Sequence, residues 1–186
     1  MVPLGSLWLP ILLAAALVFV ASSVIHMVLG YHAGDFGKVP DEDALQEWFR
    51  RMGIAPGDYG VPKPDSHQAM KEPAYVEKMT KGPVVFMTVL PGGQWFMGTA
   101  LAQWFLYCVA VSLTAAYLAG RALPAGADYL DVFRFAGTTA FACYAMALPQ
   151  ASIWFRKRWS STLKSMFDGL IYGALTAGVF GWLWPR

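Results

Sequence analysis

Long apolar stretches alternate with polar segments along the chain, and four of these stretches match the length of a membrane span. They cover residues 7–30, 95–120, 131–155 and 163–184. About 20 helical residues cross a bilayer core of about 30 Å, because each residue rises about 1.5 Å. The pattern predicts an all-α membrane protein, a four-transmembrane-helix bundle with its first span in residues 1–30 and a three-helix region in 95–186.

The polar segment between the first two spans, residues 31–94, carries the signals of two short helices. In "VPDEDALQEWFRRMG", Asp41 is a suitable N-cap and Gly53 a suitable C-terminal residue. In "EPAYVEKMTKG", Pro73 suits the first helical position and Gly82 follows the end. The Pro- and Gly-rich "IAPGDYGVPKPDSH" predicts a loop with turns, whereas "VVFMTVLPGG" fits either a short strand or an interfacial run.

The first of these short helices has an apolar stripe that includes Trp48 and Phe49. A stripe at helical spacing needs a surface to bury it. One interpretation is that it packs on the second short helix or on the membrane surface. The other is that Trp48 and Phe49 contact a partner protein.

Composition supports the membrane prediction and excludes several classes of function. The chain is 56% hydrophobic and 14% charged, whereas a soluble domain carries about 25% charged residues. A net charge of +2, without a basic run interleaved with aromatic residues, argues against a nucleic-acid partner. Two cysteines and the absence of common ligand motifs lead us to expect no metal, no cofactor and no enzymatic activity.

The distribution of Lys and Arg predicts the orientation. Four of the 14 basic residues lie in "RKRWSSTLK", between spans three and four, and seven lie in residues 31–94. The positive-inside rule then places both segments in the cytoplasm and both termini in the periplasm of a bacterial inner membrane. The first apolar stretch lacks a basic start and a small-residue cleavage site, so we interpret it as a retained span.

Ionisable residues inside predicted spans are candidate functional groups. His26 and Asp168 lie at similar depth near the cytoplasmic ends of spans one and four, and Ser22 and Gln150 are placed to join them. This candidate polar cluster would suit a proton or ion relay. The simpler interpretation is that Lys164, one helical turn before Asp168, forms an ion pair with it.

His26 and His32 are the histidines nearest the first span and could in principle bind haem. Six residues correspond to about 600° around a helix, so the two side chains would not share a helix face. Haem bound between two histidines of one chain is therefore not expected. Binding of a pigment or haem by His26 alone stays open.

Small residues recur at every fourth position in the last span, at Gly169, Gly173, Ala177 and Gly181. Such a stripe lets another helix approach closely, and in lipid this packing replaces the hydrophobic drive between helices. The neighbouring helix is either another span of this chain or another protein.

Several stretches together carry a resemblance: "YHAGDFGKVPDEDA", "APGDY", "GPVVFMTVLP", "YLAGRAL", "SIWF" and "DGLIYGALTAGVFGWLWP". The chain resembles a group of bacterial inner-membrane proteins of similar length that have no assigned activity. The resemblance covers nearly the whole chain. It implies four spans and a bacterial source, and it brings no catalytic residues.

These observations lead to three hypotheses of function. The first is a non-enzymatic accessory or assembly subunit of a larger respiratory or photosynthetic membrane complex, with the lipid bilayer and other membrane subunits as partners. The second is a small membrane enzyme or transporter that uses the His26 and Asp168 cluster. The third is a pigment or haem binder with a single protein ligand.

Overall fold

The structure is a computed structural model that describes residues 1–93 and 96–186, and it is mostly helical. Gln94 and Trp95, where the predicted cytoplasmic segment ends and the predicted second span begins, lie outside the described residues. In chain order, the elements are α1 Trp8–Met27, α2 Glu42–Met52, β1 Gly57–Val61, α3 Pro73–Lys81, β2 Val85–Val89, α4 Met97–Ala122, α5 Tyr129–Ala145, α6 Pro149–Phe155 and α7 Trp159–Trp182.

The chain divides into two compact units. One combines Met1–Phe36 with Phe96–Arg186, and the other is Gly37–Trp95. The division falls after Phe36 rather than after Gly30, because the residues that follow α1 form hydrogen bonds with α7.

Two helices among the described residues, Leu4–Met27 and Met97–Ala122, are long and apolar enough to cross a membrane. The predicted span at 131–155 is not one helix, since α5 ends at Ala145 and α6 begins at Pro149. Pro149 has no N–H to bond the Ala145 carbonyl, and its ring would clash with that carbonyl. The helix α7 covers residues 163–182 of the predicted fourth span and begins earlier, at Trp159.

The four long helices of the first unit form a bundle in which α1 contacts α4 and α7, and α5 contacts the same two helices. Small side chains fill much of its interior. Nine fully buried alanines lie there: Ala14, Ala15, Ala115, Ala116, Ala119, Ala136, Ala140, Ala145 and Ala177. Many large apolar side chains instead point outward, including Leu12, Val20, Leu106, Phe135, Phe167 and Leu170.

The small-residue stripe of α7 packs against α5 of the same chain. A Cβ atom added at Gly169 would lie 2.8 Å from the Ala145 Cβ, and one at Gly173 would lie 3.1 Å from the Gly137 carbonyl oxygen. At Gly181 the corresponding distance to the Tyr129 ring is 2.6 Å. The backbones of α5 and α7 therefore approach more closely than side chains would allow.

The second unit contains both predicted short helices. The Asp41 carboxylate accepts a hydrogen bond of 2.9 Å from the Ala44 N–H, and Gly53 ends α2 in the left-handed conformation. Pro73 is the first residue of α3, and Gly82 follows its end. The predicted helix boundaries are confirmed here, because they depend on local signals.

This unit also contains a two-stranded antiparallel sheet. Of the two alternatives left open for "VVFMTVLPGG", the short strand is the one found, as β2, whereas the description of the segment as helical omitted the sheet. β1 pairs with β2, with Gly57 opposite Val89 and Val61 opposite Val85. The stretch around Asp58, predicted to be a loop, is therefore a strand. The Asp58 carboxylate accepts a 2.6 Å hydrogen bond from the Thr88 hydroxyl. Pairing across 30 residues leaves little local trace in so short a strand.

Candidate functional site

The chain reverses direction after α1, and this turn creates the site. Gly30 adopts a left-handed φ of 65°, which favours glycine, and the next residues fold back toward α1. The rings of His26 and His32 consequently stack, with centroids 4.6 Å apart and planes 12° from parallel. The prediction that these two histidines stay apart was wrong, because it assumed that the helix continued through His32.

Asp168 lies on the buried side of α7 and is only 2% exposed. Its carboxylate accepts a hydrogen bond from the Tyr31 hydroxyl, and its Oδ2 lies 2.8 Å from the His32 Nε2. The predicted ion pair with Lys164 is not the arrangement found. The Lys164 Nζ instead contacts Asp35 Oδ1 at 3.1 Å and donates to the Tyr31 carbonyl at 2.7 Å.

Asp35 contacts the ring nitrogen of His32 that does not face Asp168. Its Oδ2 lies 2.6 Å from the His32 Nδ1, and its Oδ1 accepts a 3.0 Å hydrogen bond from the Ser161 hydroxyl. The hydrogen bond with His32, reinforced by Lys164 and Ser161, lowers the pKa of Asp35 to about 2. Asp35 is therefore ionised near neutral pH, and the His32 Nδ1 donates to it, since a carboxylate only accepts hydrogen bonds.

A cavity of about 480 Å³ opens beside this cluster, between the helices of the first unit. His26 and Asp168 line one part of it together with the hydroxyls of Ser22, Ser23 and Ser165. The remaining wall is apolar or aromatic and consists of Met27, Met97, Leu101, Trp104, Tyr107, Tyr144, Leu148 and Tyr172.

Aromatic side chains of this wall contact each other. The ring centroids of Tyr144 and Tyr172 are 5.3 Å apart, and each lies 6.1 Å from that of Trp104. The indole N–H of Trp104 donates to the Ser22 hydroxyl at 2.7 Å, which links α4 to α1. These contacts hold the rings in one arrangement along the cavity.

Two hydroxyls at the cavity wall lack satisfactory partners. Tyr144 and Tyr172 are 8% and 4% exposed, and neither hydroxyl has a hydrogen-bond partner of normal geometry among the described residues. The weak thiol of Cys108 lies near the Tyr144 hydroxyl and interacts with it electrostatically. A buried unpaired hydroxyl is costly, so either group would gain from a polar partner, but both oxygens are themselves almost fully inaccessible.

The predicted site residues separate into two groups. Ser22, His26 and Asp168 line the same cavity, whereas Gln150 is exposed on α6 and does not line it. Trp48 and Phe49 belong to the second unit, where Trp48 is 50% exposed and its ring contacts that of Phe49.

Sequence reasoning missed Tyr31 and Asp35 as site residues and set His32 aside. The spacing of His32 and Asp35, three residues apart after Gly30, was the available signal, because a glycine after a helix often marks a reversal of the chain. The position of α7, to which these residues bind, is a tertiary feature that this signal does not contain.

No protein-family model, curated protein or solved structure matches this chain. The function of the site is therefore argued from its own geometry.

Proposed function

We propose that the chain is a four-span protein of a bacterial inner membrane, with α5 and α7 as spans beside α1 and α4. The support is the distribution of side-chain size. In water, large apolar side chains fill the core, whereas in lipid they face outward and small residues line the helix contacts. Phe135 on α5, and Phe167 and Leu170 on α7, are large apolar residues that point outward.

The proposed orientation has both termini in the periplasm. Arg156, Lys157 and Arg158 lie together between α6 and α7, and a short loop with three basic residues favours the cytoplasmic side. Reporter fusions that are active only in the periplasm test this topology. They are expected to be active after Arg186 and inactive when inserted at Lys157, and the reverse result would refute the orientation.

The function that the site supports best is the binding of an amphipathic ligand from the membrane. The observation that carries it is the cavity of about 480 Å³, whose largely apolar and aromatic wall also includes the polar side chains of Ser22, His26 and Asp168. Ligand cavities combine an apolar wall with a few polar groups that orient the ligand. A ligand with an apolar tail and a head that forms hydrogen bonds would satisfy both parts.

The chemistry of the wall narrows the class of ligand. The rings of Trp104 and Tyr172 favour stacking with a flat ring. His26 and Asp168 offer groups that can accept or donate a proton at the head of the ligand. A lipid-soluble quinone or phenol combines these properties, and we propose this class, so that the protein serves as a small membrane enzyme or carrier.

Fluorescence quenching tests this proposal. A short-chain, water-soluble quinone is titrated into the full-length protein in mild detergent, and saturable quenching of tryptophan fluorescence is expected. Trp104→Phe should remove most of the saturable component, whereas Trp8→Phe, which changes an exposed residue of α1, should retain it. Quenching that is linear in quinone concentration, or equal in both variants, would refute the proposal.

A second variant distinguishes recognition of the ligand's polar head from non-specific partitioning of the ligand into the detergent. His26→Ala leaves the aromatic wall intact and is expected to weaken saturable quenching, because it removes a polar contact at the head. The absorption spectrum of the purified protein belongs to the same experiment. A Soret band that is lost in His26→Ala would favour the haem hypothesis instead.

The accessory-subunit hypothesis is a second proposal, and the surface of α2 favours it. Every α2 residue retains exposure, and Leu45, Trp48 and Met52 are exposed large apolar residues. A surface of this kind suits contact with another subunit or with lipid. Affinity purification in mild detergent, followed by mass spectrometry, is expected to recover membrane subunits with the wild type and fewer with Trp48→Ala. Equal recovery would count against this proposal.

A further inference from the structure

We propose that His26, His32 and Asp168 form a binding site for a divalent transition metal ion, with Zn²⁺ as the best match. The three side chains come from two distant parts of the sequence and meet beside the cavity. The proposal deepens the proposed function, because it assigns a Lewis acid to the polar end of the same cavity.

Distances between the ligand atoms support this assignment. One atom from each of the three side chains lies within 4.8 Å of the others, and His32 Nε2 is 2.8 Å from Asp168 Oδ2. Two ligands about 2.1 Å from one metal, at angles of about 90–110°, are about 3.0–3.4 Å apart. The His32 and Asp168 atoms are thus already at nearly the required separation. The His26 ring is stacked nearly parallel on the His32 ring, so its in-plane lone pair does not point at the same ion, and the exposed His26 side chain must adopt another rotamer when the metal binds.

An outer hydrogen bond orients the His32 imidazole in the manner typical of metal sites. The His32 Nδ1 is 2.6 Å from the Asp35 carboxylate, and the His26 Nδ1 is 3.1 Å from the Ser22 carbonyl oxygen. Metal-binding histidines usually donate one N–H to a carboxylate or carbonyl, which leaves the other nitrogen for the metal. For His32 the Asp35 carboxylate is that acceptor, so its Nε2 is available as a ligand. The His26 bond to Ser22 holds the stacked rotamer and would be released when His26 turns toward the metal.

The ligand set indicates the class of metal and its role. Two imidazoles and one carboxylate are typical of catalytic zinc and of non-haem iron, whereas Mg²⁺ and Ca²⁺ prefer oxygen ligands. Three protein ligands leave at least one coordination position for water or for a ligand head. Because His26 and Asp168 also line the cavity, that open position would be accessible from it.

Metal titration tests the site without any organic ligand. The full-length protein in mild detergent is stripped with a chelator and titrated with Co²⁺, whose visible bands report coordination, and bound Zn²⁺ is then quantified by elemental analysis. One metal ion per chain is expected. His26→Ala should weaken binding by about 100-fold or more, and because His26 is an exposed residue, the fold should persist, as circular dichroism would verify.

Two further variants sharpen the result. His67→Ala changes the third histidine, which is exposed in the second unit, and should leave affinity unchanged. Asp35→Asn should weaken binding about 10–100-fold while the Co²⁺ spectrum persists, because Asp35 orients His32 without touching the metal. Equal affinity in His26→Ala and wild type, or no stoichiometric binding in the wild type, would overturn the proposal. Saturable quinone quenching without metal would then still support the proposed function by itself.

Discussion

The close contact of α5 and α7 yields a quantitative prediction at Gly169. In Gly169→Ala, the new methyl carbon would lie 2.8 Å from the Ala145 Cβ. Carbon atoms without a covalent bond prefer about 3.5–4.0 Å, so the two helices must separate locally by roughly 1 Å. Neither atom belongs to a flexible side-chain end, so rotation of a side chain cannot relieve the clash. Overpacking of this kind costs about 1–3 kcal/mol.

A matched control on the same helix isolates this cost. A methyl group at Gly178 would have Tyr129 Oη as its nearest neighbour at 3.9 Å, which is an ordinary contact. Both substitutions gain helix propensity, by up to about 1 kcal/mol. That gain cancels in the comparison of the two variants. The free energy of unfolding is therefore expected to be about 1–3 kcal/mol lower for Gly169→Ala than for Gly178→Ala.

The assay is reversible unfolding in mixed detergent micelles, followed by helical circular dichroism as the fraction of denaturing detergent rises. Gly137→Ala repeats the test on α5, because its Cβ would lie 2.8 Å from the Ala177 Cβ. Equal unfolding free energies for Gly169→Ala and Gly178→Ala would refute the close packing of α5 against α7.

Three further predictions concern polar groups of the first unit. Because the His32 hydrogen bond lowers the pKa of Asp35 from 3.8 to about 2, the ionised form adds stability above pH 3.8 that is lost as pH falls through 2; thermal melts of Asp35→Asn from pH 6 to pH 2 should show a smaller loss than wild type, and parallel curves would contradict this. The buried hydroxyls of Ser152 and Thr162 are 2.7 Å apart, so Ser152→Ala should cost about 1–3 kcal/mol by orphaning Thr162. Adding Thr162→Val should restore much of that loss, whereas additive losses in the double variant would argue against the pair. Tyr172→Phe should leave thermal stability unchanged or higher, because the hydroxyl has no hydrogen-bond partner among the described residues; a clear drop in the melting temperature would reveal an unrecognised partner.

Features that depend on local chemistry could be predicted from the residues alone. Asp41 and Gly53 mark the two ends of α2, because a capping carboxylate and a left-handed glycine act within one helical turn. The apolar content of α1 and α4 likewise predicted two helices suited to a membrane. The spacing of Gly169 and Gly173 predicted a close helix contact, since residues four apart share a helix face.

The break at Pro149 was present in the sequence but was assigned to the interior of a span. Proline inside an apolar run either kinks a helix or ends it, and surrounding contacts decide between these outcomes. The strand β1 was missed for a related reason, because its pairing with β2 forms across a long separation in the chain.

The contacts among the polar residues depend on how the helices pack. His26 and Asp168 were predicted to lie at similar depth, but sequence spacing alone implied that His32 pointed elsewhere and that Lys164 neutralised Asp168. The left-handed turn at Gly30 returns His32 to the end of α1, where it reaches Asp168. A single backbone reversal redirects every side chain that follows it, and the partners of those side chains depend on how distant helices pack.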